Sequence, residues 1–344
     1  MISRTAEAVA PTRDPALDPE RSMTPTAPAP LRLAPEALRP LQKLSTARSV
    51  AAIAGTWGLI AVSIVAALWS GHWLVWIVAA LVVGRCQHAL AVLMHDAAHY
   101  RLFDHRGLND FVGQWVCAKP IASHLYIYRM VHLRHHRYLH TDQDPDLSLS
   151  APFPCGRKSF VRKLLRDATG ISALVMRGYV TVDKASGRMR FTPRQGNLFR
   201  YWSAPTIATR ALAAAIVGGL VYAGYGLAFL VLWVLPLLVV YQVILRVRGV
   251  LEHAAVPDKA DPLRNARTVV SPNSLAQFFL NPHHVGYHLE HHLYPGVPHY
   301  HLPRLHAALA ATGRFDDAFV ERRYTDSFAA IAGPPSAGPI AGPA

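Results

Sequence analysis

The chain has 344 residues, of which 51% are hydrophobic and only 16% charged, against roughly 25% charged in ordinary soluble domains, and this excludes a simple water-soluble globule. Lys plus Arg (35) exceeds Asp plus Glu (21), giving a net charge of +14. The three cysteines, Cys86, Cys117 and Cys155, form no Cys-x-x-Cys pair, which excludes a disulfide scaffold and a thiolate-held zinc or iron–sulfur site, whereas histidine, at 19 residues, is anomalously abundant.

Residues 1–46 alternate Ala, Pro, Thr, Asp and Arg without a sustained apolar period, so they are expected to be a disordered arm. The arm lacks the unbroken apolar core of a signal peptide, so secretion is not expected. Four apolar segments follow within a membrane domain spanning 47–325: Val50–Trp69, Trp73–Met94, about Pro205–Gly224 and about Leu227–Leu245. Each approaches the roughly 20 residues that cross the hydrocarbon layer as a helix. The turns within each pair are short and free of Lys and Arg, so each pair reads as a hairpin. Residues 326–344, rich in Pro, Gly and Ala, are expected to be a second disordered segment.

The long connection over residues 96–200 is basic (Arg157, Lys158, Arg162, Lys163 and Arg166), as are the N-terminal flank and the region after Arg246. Positive-inside bias places these in the cytoplasm and the bare turns outside. The expected fold is an all-α integral membrane protein, with four transmembrane helices in two hairpins under a cytoplasmic, histidine-rich helical cap.

Three clusters fall on that same side: His95-Asp96-Ala97-Ala98-His99, His132-Leu133-Arg134-His135-His136 and His288-Leu289-Glu290-His291-His292. Residues at i, i+3 and i+4 share a helix face, so each cluster can aim its imidazoles at one point. His-x-x-His-His occurs twice, far more often than random placement of the histidines would give. His253, beyond the fourth segment, shares a stripe with Gln242 and Arg246 and is expected as a further ligand. Arg85 and His88, on the stripe of the second helix that leads to His95 and His99, are expected to support the site or the structure rather than ligate. Isolated His72, His105, His124, His299, His301 and His306 read as ordinary hydrogen-bonded residues.

Imidazole ligands suit Zn, Cu, Fe or Ni, so ligand type alone does not choose the metal. Nine imidazoles exceed what one zinc takes and divide naturally between two ions, and two irons could activate dioxygen. Ligating imidazoles normally donate their other N–H to a carboxylate or carbonyl. Asp96, Glu252 and Glu290 adjoin proposed ligands, and Asp142, Asp144 and Asp146 follow the second cluster. For those last three, a turn role is an equal alternative.

The boxes HDAAH (95–99), HLRHH (132–136) and HLEHH (288–292), the last continuing as Leu293-Tyr294-Pro295-Gly296-Val297-Pro298, resemble those of the membrane fatty-acid desaturase and hydroxylase superfamily. The resemblance spans roughly 47–325. It implies a cytoplasmic non-haem di-iron centre held by His95, His99, His132, His135, His136, His288, His291 and His292, with His253 matching an additional ligand. It also implies dioxygen as co-substrate, and electrons from a reductase through a separate ferredoxin-like or small haem protein. The three-residue gap between His95 and His99 is shared by acyl-lipid and sphingolipid desaturases and carotenoid oxygenases, and differs from that of acyl-CoA enzymes. His284, four residues before His288, is an auxiliary ligand or hydrogen-bond partner in this reading.

The leading expectation is thus a bacterial inner-membrane acyl-lipid desaturase. A hydroxylase or ketolase acting on a carotenoid, alkane, sphingolipid or small amino-acid-derived substrate is the alternative. A histidine-rich metal transporter is the non-enzymatic rival, but it should carry ligands near the bilayer midplane. Nucleic acid is not an expected partner, because the basic charge gathers where anionic lipid and an acidic carrier would meet it.

Overall fold

The computed structural model describes residues 26–27, 31–176, 180–182, 189–191 and 204–333, and the chain is mostly helical. Helix α1 covers Pro35–Gln42 and α2 covers Thr46–Ser70. The side chain of Ser45 caps α2 by accepting the Arg48 amide, and Gly71 ends it in the left-handed region at φ 60°, a conformation that glycine adopts without Cβ strain. The ring of His72 then accepts the Leu74 amide and starts α3, Trp73–Ala98. Among the described residues, three helices are long and apolar enough to cross a membrane: α2, α3 and a later one, Gly226–His253.

Between α3 and that helix lie α4 (Arg106–Val112), α5 (Leu125–Tyr138), α6 (Arg157–Ala168) and α7 (Ala204–Tyr222). Where a third crossing is expected, α7 supplies a shorter apolar stretch, Ala208–Tyr222. Helix α8, Gly226–His253, widens into a π turn at Leu230–Val234 just before Pro236, because proline offers no N–H and its ring pushes the preceding turn open. It runs eight residues beyond the apolar segment expected to end at Leu245, and so carries His253 on the helix itself.

Helices α2, α3 and α8 pack side by side. Trp57 stacks on Trp233 at 5.9 Å, and the Gln87 amide donates to the Trp233 carbonyl at 2.9 Å. A Cβ at Gly84 would stand 2.5 Å from the Val240 Cβ, so glycine permits the closest approach of α3 and α8. That approach sets the His95 end of α3 beside the His253 end of α8.

The remaining elements close over these ends: α9 (Ser274–Leu280), α10 (His288–Leu293), α11 (Leu302–Ala310) and α12 (Tyr324–Ile331). Short strand pairs interrupt the all-α expectation: β1 (Val180–Val182) antiparallel to β2 (Met189–Phe191), and β3 (Thr268–Val269) parallel to β4 (Val320–Glu321).

Disorder over 1–46 and 326–344 does not hold for the described parts of those ranges. Ala27, Leu31 and Leu41 are buried with Leu289, Leu293 and Tyr294. Thr26 Oγ1 donates to the His292 carbonyl at 2.6 Å, and Tyr294 Oη donates to the Leu31 carbonyl at 2.7 Å. At the other end, Ser327 and Ile331 are fully buried, Ile331 against α6 and α8. A few apolar residues, spaced to meet a single partner surface, suffice for this without any periodic signal. Residues 1–25 and 334–344 lie outside the described residues.

Candidate metal centre

Each of the three boxes sits at a helix end that the packing fixes. His95 lies in the last turn of α3 and His99 caps it. His132, His135 and His136 share the inward face of α5, and His288, His291 and His292 occupy α10. Arg129, one turn before His132, binds α5 to α3. Its guanidinium donates to the Ala97 carbonyl at 2.8 Å and the Ala98 carbonyl at 3.0 Å, and it pairs with Asp110 at 2.5 Å. The Ala97 carbonyl also accepts the Tyr100 amide at 3.1 Å and Asn109 Nδ2 at 2.9 Å, and a cation at this C-terminus is favoured by the helix dipole.

The imidazoles assemble into two groups. His95, His99, His132, His136 and His291 bring one ring nitrogen each within 4.8 Å of one another, and His135, His253 and His292 do the same. His288 joins the second group, its Nε2 lying 2.7 Å from His253 Nε2 and 3.1 Å from His292 Nε2. In the first group, His136 Nε2 stands 3.0 Å from both His132 Nε2 and His291 Nε2. All nine are buried except His136, which is partly exposed.

These spacings fit metal coordination. Metal–imidazole bonds of about 2.1 Å place nitrogens at right angles about 3 Å apart. Both ring nitrogens of His95 and of His99 are buried without a hydrogen-bond partner, a costly state unless a cation takes the lone pairs. One carboxylate fixes a tautomer in the second group. His135 Nδ1 donates to Asp144 Oδ1 at 2.9 Å, while Glu252 Oε1 stands 3.2 Å from His288 Nδ1 as a charged neighbour. With its proton held on Nδ1, His135 presents the Nε2 lone pair toward His253, 3.1 Å away.

Burial first, and then neighbouring imidazoles, drives His132, His136, His288, His291 and His292 well below the ordinary histidine range. They are therefore neutral donors at neutral pH, as metal binding requires. Burial alone would raise Asp144. The hydrogen bond and charge of His135, with the amides of Asp146 and His140, outweigh it and hold the carboxyl below its usual value.

The expected supporting residues divide. Asp144 serves both readings proposed for it, because it holds His135 and also accepts the His140 and Asp146 amides, as a turn residue would. Glu252 reaches His288 rather than its neighbour His253, and ion-pairs with Arg248 at 2.6 Å. Asp96 lies 3.6 Å from His95 Nδ1, but its hydrogen bonds come from the His299 amide and ring at 3.0 and 2.7 Å. Glu290 touches no ligand imidazole. It stands two residues from His288, about 200° around the helix, and accepts from Thr268 and His306 instead.

Arg85 donates to the Phe278 carbonyl at 2.7 Å, and His88 is fully buried; both lie outside the two groups. His284 packs against Tyr287 and is likewise outside them. Arg246 turns to Asp167 of α6 at 2.7 Å instead of joining the site. Asp142 is exposed.

Sequence reasoning missed Arg129, Arg267 and His140. Arg267, 1% exposed, donates to the Leu251, Ala254 and Ala255 carbonyls at 2.6–3.2 Å and so caps the end of α8 that bears His253. The ring of His283 packs on His299 and its Nε2 lies 3.1 Å from Thr56 Oγ1. An arginine three residues before a histidine box was the one local signal available, at Arg129.

The chain is similar to known desaturases. A dihydrorhizobitoxine desaturase of Bradyrhizobium elkanii is 26% identical over 261 residues, covering 72% of this chain and 70% of that protein. A chloroplastic omega-3 fatty acid desaturase of Glycine max is 27% identical over 254 residues, covering 69% of this chain and 54% of the soybean protein. Residues 71–323, which include all nine clustered histidines, match the family described as fatty acid desaturase, and the chain belongs to that family.

Proposed function

We propose that the chain is an O2-dependent di-iron desaturase that introduces a double bond into the acyl chain of a membrane lipid. The observation that carries this reading is the division of nine histidines into groups of five and four, with orphaned ring nitrogens in one group and a carboxylate-fixed tautomer in the other. Two irons, reduced by a separate electron carrier, would supply the activation of dioxygen. The chain's own residues do the rest. Asp144 holds the Nδ1 proton of His135, the Glu252 carboxylate stands beside His288, Arg129 and Arg267 anchor the ligand-bearing helix ends, and burial keeps bulk water from the histidines. In the overall balance, the substrate gives up two hydrogens, the carrier two electrons and the solvent two protons, and dioxygen leaves as two waters.

The names of the two relatives specify different substrates and share desaturation, which favours loss of hydrogen over insertion of oxygen. In this proposal α7 completes four crossings in two hairpins, and the basic connections put the histidines at the cytoplasmic face of a bacterial inner membrane. The test is metal analysis of the purified protein alongside product mass from lipids of an expressing host. Iron that is lost in a His135→Ala, His291→Ala double variant, together with products lighter by two hydrogens, is the expected result. A product heavier by one oxygen would replace the desaturase with a hydroxylase, and zinc in place of iron would remove the oxygen-activating centre.

A further inference from the structure

Helix α5 is amphipathic in the inverted sense. Its inward face carries Arg129, His132, His135 and His136, whereas its outward face exposes Tyr126, Ile127, Met130 and Val131 over the first two turns and carries Arg134 and the exposed Arg137 toward its C-terminal end. A water-bathed helix would show the reverse. The neighbouring segment continues the pattern, because Leu108 and Phe111 of α4 and Trp115 of the following π turn are exposed, Phe111 at 60%.

Packing calibrates the depth of this face. A Cβ at Gly113 would stand 2.5 Å from the Ala97 Cβ, which sets the start of the π turn level with the histidine-bearing end of α3. Ile121 packs with Val83, Cys86 and Leu90. At 1.5 Å per residue, the chain has by then descended about 10–20 Å along α3, to near its middle. Leu125 returns to the level of Leu93 and Ala97. Lys119 sits over the Trp115 ring and Arg129 beside the Tyr126 ring, at 6.0 and 5.6 Å. Aromatic rings with adjacent cations are the side-chain set of a membrane–water boundary.

We infer that the outward face of α4, the π turn and α5 is embedded in the bilayer, so that the histidine-bearing helix α5 itself lies against lipid. The occupant of this face is the acyl-chain layer of the membrane. The inference rests on the membrane placement of α2, α3 and α8 and is independent of the chemistry at the histidines.

The test uses the full chain in phospholipid nanodiscs, with single spin labels at Phe111→Cys, Ile127→Cys and Met130→Cys in a Cys155→Ser background. Cys86 and Cys117 are fully buried. Val65→Cys on the exposed surface of α2 is the lipid control, and Asp142→Cys in an exposed turn is the water control. Relaxation by dioxygen and by a water-soluble nickel chelate is compared at each label. Oxygen-to-nickel ratios matching Val65 are expected at all three positions, with Leu108→Cys replacing any variant that does not fold. Ratios matching Asp142 would overturn the inference by showing a wet face, and low access to both probes would overturn it by showing a face covered by protein, such as a second copy. The measurement does not depend on metal or product, so a failure of the desaturase assignment would leave its outcome readable.

Discussion

Replacing Asp144 with Ala is expected to weaken metal binding at the four-histidine group while sparing the five-histidine group. The carboxylate has a side-chain exposure of 1% and takes the His135 Nδ1 proton at 2.9 Å. Loss of such an outer partner lowers metal affinity about 10–100-fold, which corresponds to about 1.4–2.7 kcal/mol. Asp144 also accepts the His140 amide at 3.0 Å and the Asp146 amide at 2.9 Å, and each amide left unpaired would cost about 1–3 kcal/mol. The Ala variant should therefore melt at lower temperature as well. Asp144→Asn keeps an acceptor oxygen and should recover part of both losses. The assay is chelator competition, read as iron retained per chain. Over a window of chelator concentration the Ala variant should hold half the iron of the parent. An unchanged midpoint, or equal loss from both groups, would refute the reasoning.

Three further outcomes follow from the packing. Arg267→Ala strands three carbonyls and the Glu321 carboxylate, and should destabilise the protein by about 3–5 kcal/mol, read as thermal unfolding in detergent. Gly84→Leu should cost about 1–3 kcal/mol or more by overpacking, because Val240 already occupies the space a side chain would need; an unchanged melting temperature would contradict the close approach of α3 and α8. The metal-free protein should lose stability in acid. The unfolded chain protonates its histidines near the ordinary value of 6.5, while burial keeps His132, His136 and His292 unprotonated in the fold. Stability is thus present above that value and lost as pH falls below it. Melting curves of chelated protein across this range check the sign.

The histidine clusters were legible because their signal is local. Histidines at i, i+3 and i+4 declare a shared face, and apolar runs of span length declare helices. The supporting interactions were not legible, because adjacency in sequence says little about which side chain a carboxylate meets. Glu252 adjoins His253 yet reaches His288, and Glu290 adjoins His291 yet turns to Thr268 and His306. Asp96 finds its hydrogen-bond partner 203 residues away, in His299. Isolated His299 read as an ordinary hydrogen-bonded residue, and it is one, but nothing in its flanking sequence points to Asp96. The ordered part of the arm was missed for a similar reason. Leu31 and Leu41 are sparse apolar residues in a proline-rich stretch, and only the surface of α10 and α11 gives them a place to be buried.

The hydrogen bonds from Thr26 to His292 and from Tyr294 to Leu31 have a consequence for biogenesis. Contacts separated by 263 and 266 residues cannot form until nearly the whole chain has left the ribosome. The segment made first therefore waits for the box made last, and neither histidine group is complete before His291 and His292 emerge. Metal loading is in this sense a late event, with the arm closing over a site that no nascent fragment could hold.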